Sequence, residues 1–336
     1  MKIDDKMLRE LYNIKNKLQF LFFIILFNIK LLFNIKNFPY KITIKLNNNC
    51  NLACKYCNIW KNKNLSILSF EKLKNFIKNY WKKIRILSFT WWETFLLKNI
   101  EEKISYSLKN CKNLNIFSIT TNWFLTNKII TTIENILKKF NNKIIIVNIS
   151  IDWWKNLHNK LRWNNISYQN AITTYNKLLE LQKKFSNLEV NQEFLLNEKN
   201  FYILKEKVKQ KNTIISIVQN SEYYWITNIK IDFLKLSKNL LKNTKWYLKK
   251  KFLKWYINKN YNCYATKSSL FIDWNWEIKP CIIWNKNLWN ISKNNIINDI
   301  KNNKYINIQK LIKQKKCPWC WTPCEWYLSI IHEFWK

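Results

Sequence analysis

The sequence predicts an α/β chain, an open, partial (β/α)6 TIM-like barrel followed by a small cysteine-rich C-terminal domain. Two observations predict it. From Lys41 to about residue 219, apolar strand-like runs alternate with Lys/Glu-rich stretches of helical spacing. The nine cysteines fall in clusters, one just after the first strand-like run and one near the C-terminus. A chain of 336 residues suits one large domain plus a smaller one and can bury a sizeable core. With 48% hydrophobic and 24% charged residues, a disordered chain is excluded.

Taken in order, the first element is the unbroken apolar run Phe20–Phe27, followed by Asn28 and Lys30. It is well short of the ~20 residues a spanning helix needs. It lies too deep, with no small-residue cleavage site, for a secretory signal. Residues 1–40 read as an amphipathic helical extension packed on the main domain, with peripheral membrane contact as the alternative. The core, 41–220, carries strands at 41–46, 84–90, 114–120, 144–151, 188–195 and 213–218. Helical stretches separate them. In Ser69–Lys83, Ser69 is suited to cap and Glu71 to the first turn. Such alternation implies a parallel sheet with right-handed crossovers, whose chemistry gathers at the C-terminal strand ends. Residues 221–262 read as a helical linker without chemistry, and 263–336 as the cysteine-rich domain.

One feature of the composition is physically awkward. The chain has 0 Gly and 19 Trp. At ordinary usage about 24 Gly are expected, and the chance of none is on the order of 10⁻¹⁰. Tight turns and helix ends need φ > 0, which glycine supplies. The tryptophans stand where glycines belong. Asp273-Trp274-Asn275-Trp276 separates two strand-like runs, where Asp-Gly-Asn-Gly would make a hairpin turn. The pairs Trp91-Trp92 and Trp153-Trp154 each follow a strand-like run, again where a tight turn is due. Most of these positions read as UGA codons that the organism translates as glycine and a common alternative table prints as Trp. The wealth of Lys, Asn, Ile, Phe and Tyr, with only 4 Pro and 3 Arg, agrees with an AT-rich genome. Trp60 is the position expected to be a true tryptophan. The competing reading is a genuinely Trp-rich chain.

The formal charge of +37 could signal nucleic acid or an anionic membrane. The lysines are spread along the whole chain, however, with no arginine cluster, zinc-finger His pair or nucleic-acid motif. Nucleic acid is therefore not the expected partner. Clustered cysteines favour metal ligation in a reducing cytoplasm over disulfides.

After the first strand comes Cys50-Asn-Leu-Ala-Cys54-Lys-Tyr-Cys57, spaced C-x₃-C-x₂-C. Three thiolates on one short loop can hold three irons of a cubane and leave the fourth open. Structural zinc would want a fourth ligand, and the loop offers none. Here the chain resembles the radical S-adenosylmethionine (radical SAM) enzymes over about residues 41–220, with Tyr56 as the family's aromatic before the third cysteine. Trp91-Trp92-Glu93-Thr94 is similar to the family's Gly-Gly-Glu-Pro, with Thr94 a departure. Thr120-Thr121-Asn122-Trp123 resembles Thr-Thr-Asn-Gly. Ser150-Ile-Asp152-Trp153-Trp154, followed by His158, Arg162 and Trp163, resembles the family's Ser-Ile-Asp-Gly segment with its His and Arg-Gly.

The resemblance implies a [4Fe–4S] cluster on Cys50, Cys54 and Cys57 that binds SAM through its open iron. One-electron reduction, from a donor such as flavodoxin or ferredoxin, would cleave SAM. The resulting 5′-deoxyadenosyl radical would take a hydrogen from a peptide or small metabolite. Trp91, Trp92 and Glu93 belong to the loop implied for the methionyl amino group. Ser150 is implied for the ribose or carboxylate, Arg162 for the carboxylate, and Asn122 and Asp152 stand in the other cofactor motifs. Plainer roles are a backbone bond for Ser150, a helix cap for Asp152, a surface ion pair for Arg162 and a structural place for His158. No catalytic residue on the substrate side is assigned.

Cys263 precedes the hairpin, Cys281 follows it, and Cys317, Cys320 and Cys324 form a C-x₂-C-x₃-C core. Zinc and iron–sulfur both accept four thiolates. A likeness of 263–326 to SPASM/twitch tails, including Leu288-Trp289-Asn290-Ile291 for Leu-Gly-Asn-Ile, implies one auxiliary [4Fe–4S] cluster with one cysteine spare. Cys111, alone between helix and strand, reads as buried and inert. Two other readings stand beside this one: a zinc-stabilised basic module for nucleic acid, and an inactive chain in which Trp91 and Trp92 are literal.

Overall fold

In Lys41–Leu46 the polar residues alternate with Ile42 and Ile44, which alone would suggest a half-exposed strand. In the computed structural model all of β1 (Lys41–Lys45) is buried, because it has a neighbour on each side. Strand β2 (Ile86–Thr90) pairs parallel with one edge and β7 (Ser269–Ile272) parallel with the other. The structure describes residues 5–33, 35, 37–55, 57–61, 66–90, 92–152, 154–196, 213–217, 262–291, 300, 302–317, 325, 328, 329 and 332.

From β2 the sheet continues in parallel through β3 (Ile116–Thr121), β4 (Ile144–Ser150), β5 (Leu188–Leu196) and β6 (Thr213–Ile217). This is the predicted parallel core, with strand limits within two residues of those the periodicity implies. Strands β8 (Glu277–Lys279) and β9 (Trp289–Asn290) add antiparallel to β7, so nine strands run β6-β5-β4-β3-β2-β1-β7-β8-β9. The hairpin predicted from its turn residues is therefore an extension of the barrel sheet itself.

Helices cover the apolar face. In α2 (Phe70–Tyr80), Leu73, Phe76, Ile77 and Tyr80 make the buried stripe expected of an amphipathic helix. The Ser69 side chain makes no capping bond, contrary to its sequence position, while Glu71 does lie in the first turn. The crossovers α3 (Ile100–Asn110), α4 (Thr126–Lys139) and α6 (Ser167–Lys184) bury Ile104, Ile133 and Leu178 respectively into one core with Ile44, Phe89, Phe117 and Val147. Register puts Thr43, Ser88 and Ser118 side by side on the other face, and Asn148 beside Asn191. That concave face is polar. Ser88 Oγ and Ser118 Oγ are 2.7 Å apart, and Asn191 Nδ2 donates to Asn148 Oδ1 at 3.2 Å.

The N-terminal extension is α1 (Asp5–Leu32). Its Ile24 and Phe27 pack on Tyr40, Ile86 and Leu328, so it closes the end of the barrel where strands begin. The C-terminal segment joins it there, with Tyr40 Oη 3.0 Å from His332 Nε2 and Asn28 Oδ1 2.6 Å from His332 Nδ1. Helix α7 (Asn303–Lys313) is capped by Asn302, which accepts from the Lys304 N–H. Of the predicted linker 221–262, only Asn262 is among the described residues.

Candidate active site

The C-terminal ends of β1, β2, β3 and β4 carry the predicted motifs, and Glu93 ties three of these ends together. Its carboxylate is fully buried. It accepts hydrogen bonds from Phe95 N at 3.1 Å, Thr121 Oγ1 at 2.9 Å and Asn122 N at 2.7 Å. Asn47 Nδ2 donates to the Glu93 carbonyl and Glu93 N to the Asn49 carbonyl, fixing the loop against the end of β1. Burial pushes the Glu93 carboxyl up to about 7 against the opposing pull of these donors. Its protonation thus changes near neutrality.

Asn122 links this network to the cysteine loop. Its Nδ2 donates to Asn51 Oδ1 at 2.7 Å and lies 3.6 Å from Cys50 Sγ. Cys54 is buried, and Cys50 and Cys57 are half-buried. Burial holds the Cys50 thiol up at about 12. Among the described residues no three His, Cys, Asp or Glu side chains stand close enough to hold a metal ion as they are. Protonated thiols have no reason to converge, because thiolate formation accompanies metal binding. The donor set does fit a cubane with one open iron: three thiols on one loop, none of the seven described cysteines in a disulfide. Trp60 Nε1 donates to the Cys54 carbonyl at 3.2 Å, so this tryptophan has a use in the loop.

After β4, Arg162 Nε donates to Asp152 Oδ2 at 2.8 Å, with both side chains buried. Asp152 is thus an ion-pair partner rather than a helix cap. Trp154 holds the N-cap position of α5 (Lys155–Arg162). The half-buried Ser150 lends its carbonyl to Trp123 Nε1 at 2.6 Å. His158 accepts from the Asp152 N–H through Nδ1 at 3.0 Å, which requires that nitrogen to be unprotonated. Burial lowers its pKa from 6.5 to about 4. Trp91 lies outside the described residues.

Unfolded, His158 takes a proton below 6.5, whereas the folded ring stays neutral down to about 4. Its contribution is therefore complete above pH 6.5 and is lost as pH falls toward 4. Glu93 acts oppositely: the folded chain keeps a proton that the unfolded chain sheds above 4.5, so stability falls as pH rises toward 7. The two slopes mask each other. His158→Asn retains an acceptor but cannot titrate. In denaturant unfolding it should gain up to about 3 kcal/mol relative to the parent between pH 7 and pH 4. Parallel pH profiles for the two proteins would refute the assignment.

Residues 44–189 match the family described as the Radical SAM superfamily. The chain carries a radical SAM domain. No curated protein matches the sequence. Solved radical SAM structures share its fold at low identity. Streptococcus suis SuiB bound to S-adenosylmethionine has a TM-score of 0.59 at 16% identity, covering 81% of this chain and 68% of that one. The enzyme anSMEcpe with bound AdoMet and a peptide gives 0.59 at 19%, covering 82% and 83%. BtrN in complex with AdoMet and 2-DOIA gives 0.51 at 15%, covering 85% and 92%.

Beside the radical SAM motifs lies a charged cluster that sequence reasoning missed. Asp273, at the end of β7, is 3.2 Å from Lys45 Nζ and 2.8 Å from Lys279 Nζ, all three buried. Lys45 Nζ also stands 3.4 Å from the Trp92 ring centroid and 3.7 Å from that of Trp274. Burial lowers the Lys45 pKa to about 7, against the pull of Asp273. A lysine at the third polar position of an alternating strand was the available signal, but only the β1–β7 pairing brings Asp273 to it.

Of the C-terminal cysteines, Cys281 is buried and Cys263 and Cys317 are half-buried, while Cys320 and Cys324 lie outside the described residues. Burial raises the Cys263 thiol pKa, and the nearby Glu325, Cys281 and Cys317 raise it further. Glu325 accepts a hydrogen bond from Ser269 Oγ at 2.5 Å. Cys111 is wholly buried at the end of α3, and burial pushes its thiol up to about 12.

Proposed function

We propose that Cys50, Cys54 and Cys57 hold a [4Fe–4S] cluster that binds SAM, and that the C-terminal cysteines hold one auxiliary [4Fe–4S] cluster. The observation that carries the first part is the Asn122 bridge between the buried Glu93 network and Cys50. Cluster and SAM together supply reductive cleavage of the sulfur–C5′ bond and a 5′-deoxyadenosyl radical that takes a substrate hydrogen. The protein's own residues position and enclose. Glu93 fixes the loop implied for the methionyl amino group. Asp152 holds the Arg162 guanidinium by its ion pair, and the Lys55 N–H to Leu161 carbonyl bond of 2.8 Å ties α5 to the cysteine loop. The polar concave sheet face receives a peptide or small metabolite. SuiB and anSMEcpe, both solved with peptides, favour a peptide. A cytoplasmic flavodoxin or ferredoxin supplies the electron.

The auxiliary assignment rests on the spacing of Cys317, Cys320 and Cys324 and on the likeness of 263–326 to SPASM/twitch tails, with Cys281 and Cys317 near enough to raise the Cys263 thiol pKa. Anaerobic reconstitution of the natural glycine-containing protein should give about eight irons per chain, and reduction with SAM should yield 5′-deoxyadenosine. About four irons would remove the auxiliary cluster only. A colourless, zinc-only protein would end the whole reading.

We also propose that most of the tryptophans are glycine in the working enzyme. Among the described residues six have positive φ, and four of them are Trp92 (55°), Trp123 (71°), Trp163 (56°) and Trp276 (66°). That conformation costs a residue with a Cβ about 1–2 kcal/mol and costs glycine nothing. The indole N–H groups of Trp276 and Trp289 are buried without a hydrogen-bond partner, whereas a buried indole N–H ordinarily finds one. Codons and peptide masses of the natural protein decide it, and UGG at these positions would overturn it.

A further inference from the structure

Helix α1 has two apolar faces. Phe20, Ile24, Phe27 and Leu31 meet the barrel. On the opposite side Leu18, Phe22, Ile29 and Phe33 recur at helical spacing and are exposed, Phe22 by 63% and Phe33 by 73%. With Ile14, Leu21, Leu26 and Leu32 they form one stripe about 28 Å long at 1.5 Å per residue. A globular domain rarely leaves so continuous an apolar surface bare. No Asp or Glu occurs between Glu10 and Glu71, so the only charges on this part of the helix are Lys15, Lys17 and Lys30.

Beside the stripe is a cavity of about 510 Å³, which Phe22 and Leu26 also line. Its cations are Lys15, Arg85, Lys112 and Lys143, and no carboxylate lines it. Two are held in place: Lys143 Nζ donates to the carbonyls of Lys112 and Leu114 at 2.9 and 2.8 Å, and Arg85 donates to that of Asn113 at 3.2 Å. The volume lies in the range of small-ligand pockets.

We propose that α1 seats this enzyme on an anionic phospholipid surface. The stripe enters the acyl-chain boundary and a headgroup phosphate enters the basic cavity. The helix lies in the interface, since no described helix is long and apolar enough to cross a membrane. Charge decides against a second copy of the chain as the occupant. Two such faces would oppose lysines with no carboxylate between them, whereas anionic lipid complements them. The placement also suits the chemistry. Helix α1 covers Ile86, where β2 begins, while Glu93 and the cysteine loop lie beyond the opposite strand ends, so the site faces away from the bilayer.

The test is co-sedimentation of the full-length reconstituted protein with phosphatidylcholine vesicles, with and without phosphatidylglycerol. Phosphatidylglycerol vesicles should retain the protein, and the binding should survive high salt in part. Leu18→Ser/Phe22→Ser/Ile29→Ser should weaken it about tenfold or more and abolish the salt-resistant fraction. Lys15→Glu/Lys112→Glu should weaken binding to phosphatidylglycerol vesicles more than the equal charge change Lys304→Glu/Lys310→Glu away from α1. Unchanged circular dichroism in the far and near ultraviolet will show that both variants are folded. Equal binding by the serine variant would overturn the proposal, leaving only diffuse attraction of a cationic protein. A dimer that the serine substitutions dissociate, without vesicle binding, would overturn it in favour of self-association.

Discussion

Cys54→Ala, made in the natural glycine-containing protein, should abolish SAM cleavage while leaving the fold intact. Cys54 is buried in the loop, its carbonyl accepting from Cys57 N at 3.0 Å and from Trp60 Nε1 at 3.2 Å. Both are backbone contacts that alanine preserves, so only the sulfur is removed. A cubane held by two thiolates is not retained. Iron after reconstitution should fall by about four per chain, and 5′-deoxyadenosine formation by at least about a thousandfold, over 4 kcal/mol in barrier. Cys111→Ala is the control. That thiol lies at the end of α3, away from both clusters of cysteines in sequence, and should change neither iron nor turnover. A Cys54→Ala protein with full iron and turnover would show that this loop does not hold the reactive cluster.

The parallel core was legible because each strand is a local signal. Buried runs such as Ile144–Ser150 sit between amphipathic helices whose 3.6-residue stripe is equally local. The cysteine loop is a proposal of the same local kind, since its signal lies in a spacing of eight residues. Asn122 could be named from its motif, and the structure adds its contact with Cys50. What could not be read depends on pairing across long separations. Nothing near Lys41 announces that Ser269 lies beside it. Without that pairing Lys45 reads as a solvent-facing lysine, and its buried partner Asp273 as a turn residue alone. Ser69 shows the converse failure. The residue type suits a cap, but its side chain makes no capping bond. Arg162, too, could be assigned to a ligand or to an ion pair from sequence, and only the fold brings Asp152 to 2.8 Å from it.

The other large effect is a gain of function that should come with a loss of stability. The Trp92 and Trp274 rings are 5.4 Å apart and both enclose the Lys45 ammonium, at the strand ends where cofactor and substrate belong. In the sequence as it stands these rings fill that mouth. Trp92→Gly/Trp274→Gly, made together with Trp91→Gly, should restore SAM binding and raise 5′-deoxyadenosine formation from background by a hundredfold or more, about 3 kcal/mol or more in barrier. The same change removes two cation–π contacts, worth roughly 0.5–2 kcal/mol each, and leaves space where indoles packed. Relief of the positive φ at Trp92 returns only about 1–2 kcal/mol of this. The melting temperature should therefore fall while turnover rises. The opposite signs matter, because a mutation that merely improved folding would raise both. Tight SAM binding by the unaltered tryptophan chain would refute the glycine assignment at these positions.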